Sequence, residues 1–408
     1  MPIKLIHVSD IHFGSGESHG RVNPASGLNV RFEDFALALS RVVDFSIENN
    51  ADIFLFSGDA YKNASPEPVY QQAFARQLKR LSDAAIPTIL LVGNHDQILK
   101  AGASHSMSVF QSLEVPGVTI IAQPTLLKIA SKHGELQIIG LPHVTRNLLM
   151  THEKYAQLSP SELDRVLVSH VGEILEGFYE ELNPEIPTLV TAHLMLDSAR
   201  AGAEQELMLG YSMSFPLCQF LDERLDYVAL GHVHAHQVLH EKQPLVAYAG
   251  SLDRVDFSEE KEDKGFIEAD IERGNVNWRF HSLQPRPFIT FSIDLSESEN
   301  PMEELYQAVL PAAKDAAVFR IKYKIQQNRL PEIDEDRIRA ALPQLLSLRF
   351  KAELIYTERP RRLPELNEKA VFQPLQALEK YLEESSPENK DALMEKARML
   401  ISKAQQEE

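Results

Sequence analysis

The chain has 408 residues, 25% of them charged and 44% hydrophobic; acids outnumber bases 59 to 41, for a formal charge of −18. That length suggests about two to three domains with ample material for a large buried core. No stretch approaches the ~18 uninterrupted apolar residues a membrane span needs, and the acidic balance weighs against unaided nucleic-acid binding, for which a basic surface is usual. Cys218 is the single cysteine, so an intrachain disulfide is excluded and a reducing, cytoplasmic setting is expected. The opening MPIKLIHVSD enters a strand-like run at once, so a signal peptide is not expected.

Short apolar runs of strand length recur at Ile3–Val8, Ile53–Phe56, Thr88–Val92, Leu136–Ile139, Thr188–Val190, Tyr227–Leu230 and Leu245–Tyr248. Between the early ones, Phe32, Phe35, Leu39, Val42, Val43 and Ile47 line one face of a helix predicted near 31–49. Val69, Phe74, Leu78 and Leu81 do so near 67–84. This order predicts an α/β sandwich with helices flanking the sheets over residues 1–285. Around Pro285 and Pro287 the texture changes. Strict alternation in PFITFSIDL, FRIKYKI and LRFKAEL, with helices near 302–315 and 335–346 between them, predicts a small β-α-β-α-β domain over 286–357. The proline-punctuated ERPRRLP, 358–364, reads as a linker. It leads to amphipathic helices near 374–384 and 387–404, the latter started by Ser386-Pro387, so that 358–408 forms a third region.

Five segments end an apolar run with potential metal ligands: SDIH (Asp10, His12), SGDA (Asp59), GNHD (Asn94, His95), TAHL (His193) and LGHVH (His232, His234). Ligands gather at the carboxyl ends of strands in open α/β sheets, so five such ends would converge. Asp-x-His and His-x-His place both side chains on one side of an extended segment. Carboxylate, amide and imidazole without thiolate suit manganese, iron or zinc. Seven ligands are too many for one ion and suit two ions sharing a carboxylate. Two metals about 3.5–4 Å apart can activate a water and clamp a phosphoryl oxygen.

The order D-x-H, GD, GNHD, H, GHxH resembles the calcineurin-like metallophosphoesterase superfamily. The stretch YAGSLDRVDFSEEKEDKGF, 248–266, closely resembles the Y-x-GS-x-x-R-x-DF-x-E…KGF segment of SbcD-type DNA exonuclease subunits, bacterial relatives of the double-strand-break repair nuclease. The small domain and the terminal helices resemble that family's capping domain and partner-binding tail. The resemblance implies that Asp10, His12, Asp59 and His234 hold one metal, and that Asp59, Asn94, His193 and His232 hold the other. It implies that His95 faces the scissile phosphate and that Asp96 orients His95 through a hydrogen bond. Where some relatives have a second active-site histidine, this chain has Lys62, which can contact phosphate but cannot do histidine's proton transfer near neutral pH.

The resemblance further implies a manganese-dependent nuclease (iron, zinc or magnesium being alternatives), acting from 3′ ends on duplex DNA and internally on single strands in repair and recombination. Its partners would be an SMC-like coiled-coil ATPase and a second copy of itself, as a homodimer within a heterotetramer. Arg320, Lys322 and Lys324 share the polar face of one strand and Arg349 and Lys351 that of another, a solvated sheet face or a phosphate-contacting surface. His7 reads as a core or surface histidine, His143 as a loop residue, and His236 lies outside the resembled pattern. Two other functions stand beside this one: a stand-alone phosphoesterase on nucleotides or phosphoproteins, which leaves residues 285–408 unexplained, and a non-catalytic DNA-end tether, against which the complete ligand set argues.

Overall fold

The computed structural model describes residues 1–97, 104–146, 155, 157–200, 213–356, 375, 378, 379, 382 and 390–404. The chain divides into two compact units, one of Met1–Ser292, Leu305–Lys322 and Glu335–Lys351, the other of Ile293–Glu304, Tyr323–Asp334 and Ala352–Glu408.

In the first unit the strands run β1 (Ile3–Val8), β2 (Ile53–Phe56), β3 (Thr88–Leu91), β4 (Val118–Ile121), β5 (Thr125–Ser131), β6 (Gly134–Leu141), β7 (Thr188–His193), β8 (Met195–Leu196), β9 (Ser214–Phe215), β10 (Tyr227–Gly231), β11 (Gln237–His240), β12 (Leu245–Tyr248), β13 (Gly265–Glu272) and β14 (Asn275–Ser282). Twelve of them form two six-stranded sheets, ordered β14-β13-β1-β2-β3-β4 and β11-β12-β10-β7-β6-β5, and β8 and β9 pair with each other. In the first sheet β1 to β4 are parallel and β13 and β14 add antiparallel at one edge; in the second β12, β10, β7 and β6 are parallel and β11 and β5 flank them antiparallel. This is the expected α/β sandwich, two mixed sheets flanked by helices.

Alternation explains the layers. Leu5, Leu55, Ile89 and Leu91 of one sheet meet Leu136, Ile138, Leu189, Tyr227 and Ala247 of the other in an inter-sheet core. Ile6, Val8, Phe54, Phe56 and Leu90 face outward onto Phe35 and Val42 of helix Val30–Glu48 and Phe74 and Leu78 of helix Pro68–Asp83. On the far side Ile139, Val190, Val228 and Val246 pack on Val171, Leu175 and Tyr179 of helix Pro160–Glu181. The sequence reading did not identify that helix, although Ser159, Pro160 and Glu162 announce it: the Glu162 carboxylate accepts from the Ser159 N–H at 2.8 Å.

β15 (Phe288–Asp294), β16 (Val318–Gln326) and β17 (Ser347–Ile355) make a third sheet in that order. Helices Pro301–Val309 and Glu335–Ala341 lie between them in sequence. The linker expected at 358–364 and the helix start at Ser386-Pro387 lie outside the described residues, as does most of the helix expected near 374–384. The last helix is Lys390–Ala404. Its apolar residues divide: Met394 is buried, while Leu393, Met399 and Leu400 are exposed. Among the described residues, no helix is long and apolar enough to cross a membrane.

Candidate metal centre

The parallel centres of both sheets end at one edge, and their loops are laced together there. Past β1, the Asp10, His12 and Phe13 N–H groups donate to the carbonyls of Gly58 (2.9 Å), Asp59 (3.1 Å) and Ala60 (3.0 Å) past β2. Ser57 Oγ lies 2.9 Å from Thr191 Oγ1 in the other sheet, and the His232 N–H donates to Asp10 Oδ2 at 3.0 Å. The lacing forces unusual backbone. Of nine non-glycine residues with positive φ among the described ones, four are expected ligands: Asp10 (52°), His12 (51°), Asp59 (62°) and His232 (94°). Such conformations persist where the surroundings over-determine them, which is characteristic of functional sites. Gly93 admits a closer approach still, since a Cβ there would lie 2.1 Å from Asp59 Oδ1.

The expected ligands converge. His12 Nε2 is 2.9 Å from His234 Nε2 and 3.6 Å from both Asp10 Oδ1 and Asp59 Oδ2. His193 Nε2 is 3.1 Å from Asp59 Oδ2 and 3.0 Å from Asn94 Oδ1, and His232 Nδ1 is also 3.0 Å from Asn94 Oδ1. Asp59 is common to the His12–Asp59–His95 and Asp10–Asp59–His193 clusters, beside an Asp10–His12–His234 cluster.

The donor set fits divalent cations. His193 Nδ1 donates to the Ser57 carbonyl at 2.7 Å and His234 Nδ1 to Glu259 Oε1 at 2.7 Å. In a neutral ring each such bond leaves Nε2 with a lone pair; that of His193 faces the Asp59 and Asn94 oxygens, and that of His234 faces His12 Nε2, itself beside Asp10 and Asp59. Acceptors converging on acceptors want a cation between them. The second ring nitrogen held by a carbonyl or carboxylate is the usual support of a metal-binding imidazole.

Without metal, protons take that place. Burial alone would push His193 down, but Asp59, with Asp10 and the Ser57 carbonyl, outweighs it and pushes it up to about 9 from the ordinary 6.5. Burial pushes Asp59 up, yet the neighbouring imidazoles, His193 first, hold it well below the usual carboxylate range. His193 is therefore protonated in the metal-free protein at neutral pH, and an incoming ion must displace that proton. Manganese affinity is expected to rise about tenfold per pH unit below 9 and to level off above it. Isothermal titration at several pH values reads this directly, and a flat profile from 6.5 to 9 would remove His193 from the ligand set.

Residues 3–236 match the calcineurin-like phosphoesterase family, more than half of the chain. The chain belongs to that family. Its relatives include a protein named "DNA double-strand break repair protein Mre11" from Haloferax volcanii, 26% identical over 322 residues, covering 79% of this chain and 61% of that one. One of the same name from Sulfurisphaera tokodaii is 24% identical over 269 residues, covering 64% and 58%. The "Uncharacterized metallophosphoesterase YhaO" of Bacillus subtilis is 23% identical over 313 residues, covering 75% and 66%. The chain thus spans about three fifths of the length of the curated relatives it matches.

In this phosphoesterase His95 is exposed at the site, its ring 4.9 Å from that of His12. Its orientation corrects one expectation. Nδ1 donates to the Lys62 carbonyl at 2.8 Å, and the backbone N–H donates to Asp59 Oδ1 at 2.9 Å. Asp96 does not hold the ring. Its buried carboxylate accepts from the N–H groups of Gly93 (3.1 Å), Asp59 (3.0 Å) and Ala60 (3.3 Å) and from Ser106 Oγ at 2.8 Å. These donors saturate the carboxylate and tie the turns after β2 and β3 to each other. Asp96→Ala leaves three buried N–H groups without acceptors, so about 2–4 kcal/mol of stability should be lost. Denaturant unfolding of metal-free protein checks this, and a loss below ~1 kcal/mol would contradict the bracing role.

The expected DNA-facing basic residues fare unequally. Arg320 lies 4.1 Å over the Phe257 ring and donates to Thr290 Oγ1 at 2.9 Å. Lys324 pairs with Asp294 at 3.3 Å, and Arg349 donates to the Ser18 carbonyl. Lys62 and Lys351 are exposed and Lys322 is half-buried. His7 is a core residue, its Nδ1 2.7 Å from the Tyr227 hydroxyl. His236 stacks on Phe280 with ring centroids 4.0 Å apart, outside the ligand clusters. His143 stands closer to the chemistry than a plain loop residue: its Nδ1 donates to the His193 carbonyl at 3.1 Å, and its ring lies 5.6 Å from that of His232. Sequence reasoning passed over Glu259 and Lys264 individually, although both belong to the 248–266 motif it singled out.

Proposed function

We propose that this phosphoesterase is a two-metal DNA nuclease. The observation that carries the reading is the conjunction of aspartate and histidine side chains converging around Asp59 with relatives named as double-strand break repair proteins over 79% and 64% of the chain. Two divalent ions, most simply manganese, would be held by Asp10, His12, Asp59 and His234 and by Asp59, Asn94, His193 and His232. They would supply Lewis acidity toward a water and toward the phosphoryl oxygens. The chain's own groups do the rest. Asp59 spaces the two positions. His95, held through Nδ1 by the Lys62 carbonyl, presents Nε2 to the mouth and delivers a proton to the departing sugar oxygen. Lys62 offers a cation to a neighbouring phosphate. Cleavage proceeds from 3′ ends of duplexes and within single strands. The exposed Leu393, Met399 and Leu400 of the last helix support docking to a coiled-coil ATPase, and the assembly carries two copies of this chain.

The test is cleavage of linear duplex and single-stranded DNA by purified protein with manganese, beside nucleotides and phosphopeptides. Turnover of DNA with none of small monoesters supports the nuclease, and the reverse overturns it. The second reading, a phosphoesterase for small substrates, draws support from the net charge of −18 and from the side-chain interactions that occupy Arg320, Lys324 and Arg349. The remaining lysines separate the two. Reversing Lys322 and Lys351 to glutamate should weaken DNA binding and reduce its salt slope by about 0.9 for each phosphate they neutralise. Hydrolysis of a chromogenic phosphodiester should stay as it was. Equal losses on both substrates would mean that these lysines serve the fold.

A further inference from the structure

Residues 248–266 stand behind the cation positions. Glu259, in the short turn Phe257–Glu259, is 4% exposed. Its two oxygens are divided. Oε1 accepts from His234 Nδ1 at 2.7 Å, while Oε2 accepts from the Val255 N–H at 2.9 Å and lies 3.0 Å from Lys264 Nζ. Lys264 is fully buried, and its ammonium also donates to the His234 carbonyl at 2.9 Å and pairs with Glu262 at 2.7 Å. One lysine thus grips the backbone of His234 and the carboxylate that grips its ring. Arg254 locks the loop by donating to the carbonyls of Glu259 (3.1 Å) and Glu262 (2.8 Å).

The other cation position is built differently. His193 rests on a neutral carbonyl, that of Ser57 at 2.7 Å, where His234 rests on a carboxylate. In the proposed ligand assignment the oxygen ligand private to the His193 side is the neutral amide of Asn94, whereas the His234 side has the carboxylate of Asp10. Lys264 and Arg254 balance Glu259 and Glu262, so the charge difference between the two sides is that of Asp10 against Asn94. A carboxylate behind an imidazole fixes its tautomer and raises its basicity as a ligand. Charge and ligand strength therefore both favour the His234 side.

We propose that Glu259, clamped by Lys264, is the positioning residue that makes the Asp10–His12–Asp59–His234 position the tighter of two unequal cation sites, so that one ion stays resident while the other exchanges. This rests on the two-cation ligand assignment of the proposed function, not on the substrate being DNA.

The test uses the full chain, stripped with chelator and titrated calorimetrically with manganese in the absence of substrate. Wild type should bind two ions in separated affinity classes. Glu259→Gln, of the same shape, should weaken the tight class by about ten- to a hundredfold and leave the weak class in place. In a His232→Ala background, which retains the His234 side, one tight ion should remain, and adding Glu259→Gln should weaken it by the same factor. Retention of the tight class in Glu259→Gln overturns the proposal. So does weakening of both classes together with a lower melting temperature of the metal-free variant, which would mark Glu259 as part of the fold alone. A tight ion lost in His232→Ala but kept in His234→Ala reverses the order and also overturns it. Fewer than two ions in wild type would instead defeat the ligand assignment beneath it.

Discussion

Asp59→Asn is expected to yield a folded chain that retains neither cation and has lost at least about a thousandfold in turnover. In the proposed assignment the carboxylate is the group the two positions share: Oδ2 lies 3.1 Å from His193 Nε2 and 3.6 Å from His12 Nε2. Its other oxygen accepts the His95 N–H at 2.9 Å, so it also seats the turn that carries Asn94 and His95. Asparagine separates these duties. It tolerates the positive φ of 62° at this position, as alanine does less well, and its amide oxygen can still accept from His95. What it removes is the charge and the second lone-pair oxygen, which is what a bridging ligand needs. Two cations supply several kcal/mol of charge stabilisation to a phosphoryl transition state, and each ~1.4 kcal/mol is a factor of ten in rate. Metal content after desalting, read beside turnover on the same preparation, decides the matter. His234→Ala should keep one ion where Asp59→Asn keeps none. Two ions retained at unchanged affinity in Asp59→Asn would exclude a shared carboxylate.

The convergence of the candidate ligands was legible because each sits just past an apolar run, and a strand's direction fixes where its end must lie. Asp-x-His and His-x-His add a spacing that few structural needs impose. What stayed hidden is tertiary pairing. Glu259 reaches His234 across 25 positions and Asp96 reaches Asp59 across 37, and nothing local in sequence marks either bond. The family resemblance implied the pairing of Asp96 with His95, yet the tight turns around Gly93 leave several N–H groups for one buried carboxylate to collect. Alternation correctly set Arg320, Lys322 and Lys324 apart from the buried Phe319, Ile321, Tyr323 and Ile325. It carried no information about the Phe257 ring beneath Arg320, which gives that side chain a packing contact as well. Helix Pro160–Glu181 was legible through its cap but lay outside the strand-end pattern that organised the reading.

His95→Ala should keep both cations and lose about 10²–10⁴-fold in turnover on DNA, the range typical of a positioned proton donor. The side chain is exposed, so its removal should cost the fold within about 0.5 kcal/mol. Alanine keeps the backbone N–H that donates to Asp59 Oδ1, so that carboxylate is not released. What disappears is the ring, fixed by the Lys62 carbonyl 2.8 Å from Nδ1 and standing 4.9 Å from the His12 ring. If that ring protonates the departing oxygen, the deficit must depend on the leaving group. A sugar alkoxide is a poor one and needs the proton. A nitrophenolate leaves without help, so the variant should hydrolyse a nitrophenyl phosphodiester nearly as fast as wild type. A deficit of equal size on both substrates would assign His95 to phosphate binding instead. Loss of a cation in the variant would make it a ligand, in keeping with its place in the His12–Asp59–His95 cluster. Near-normal cleavage of DNA with both ions bound would leave the proton to solvent and His95 with no part in the chemistry.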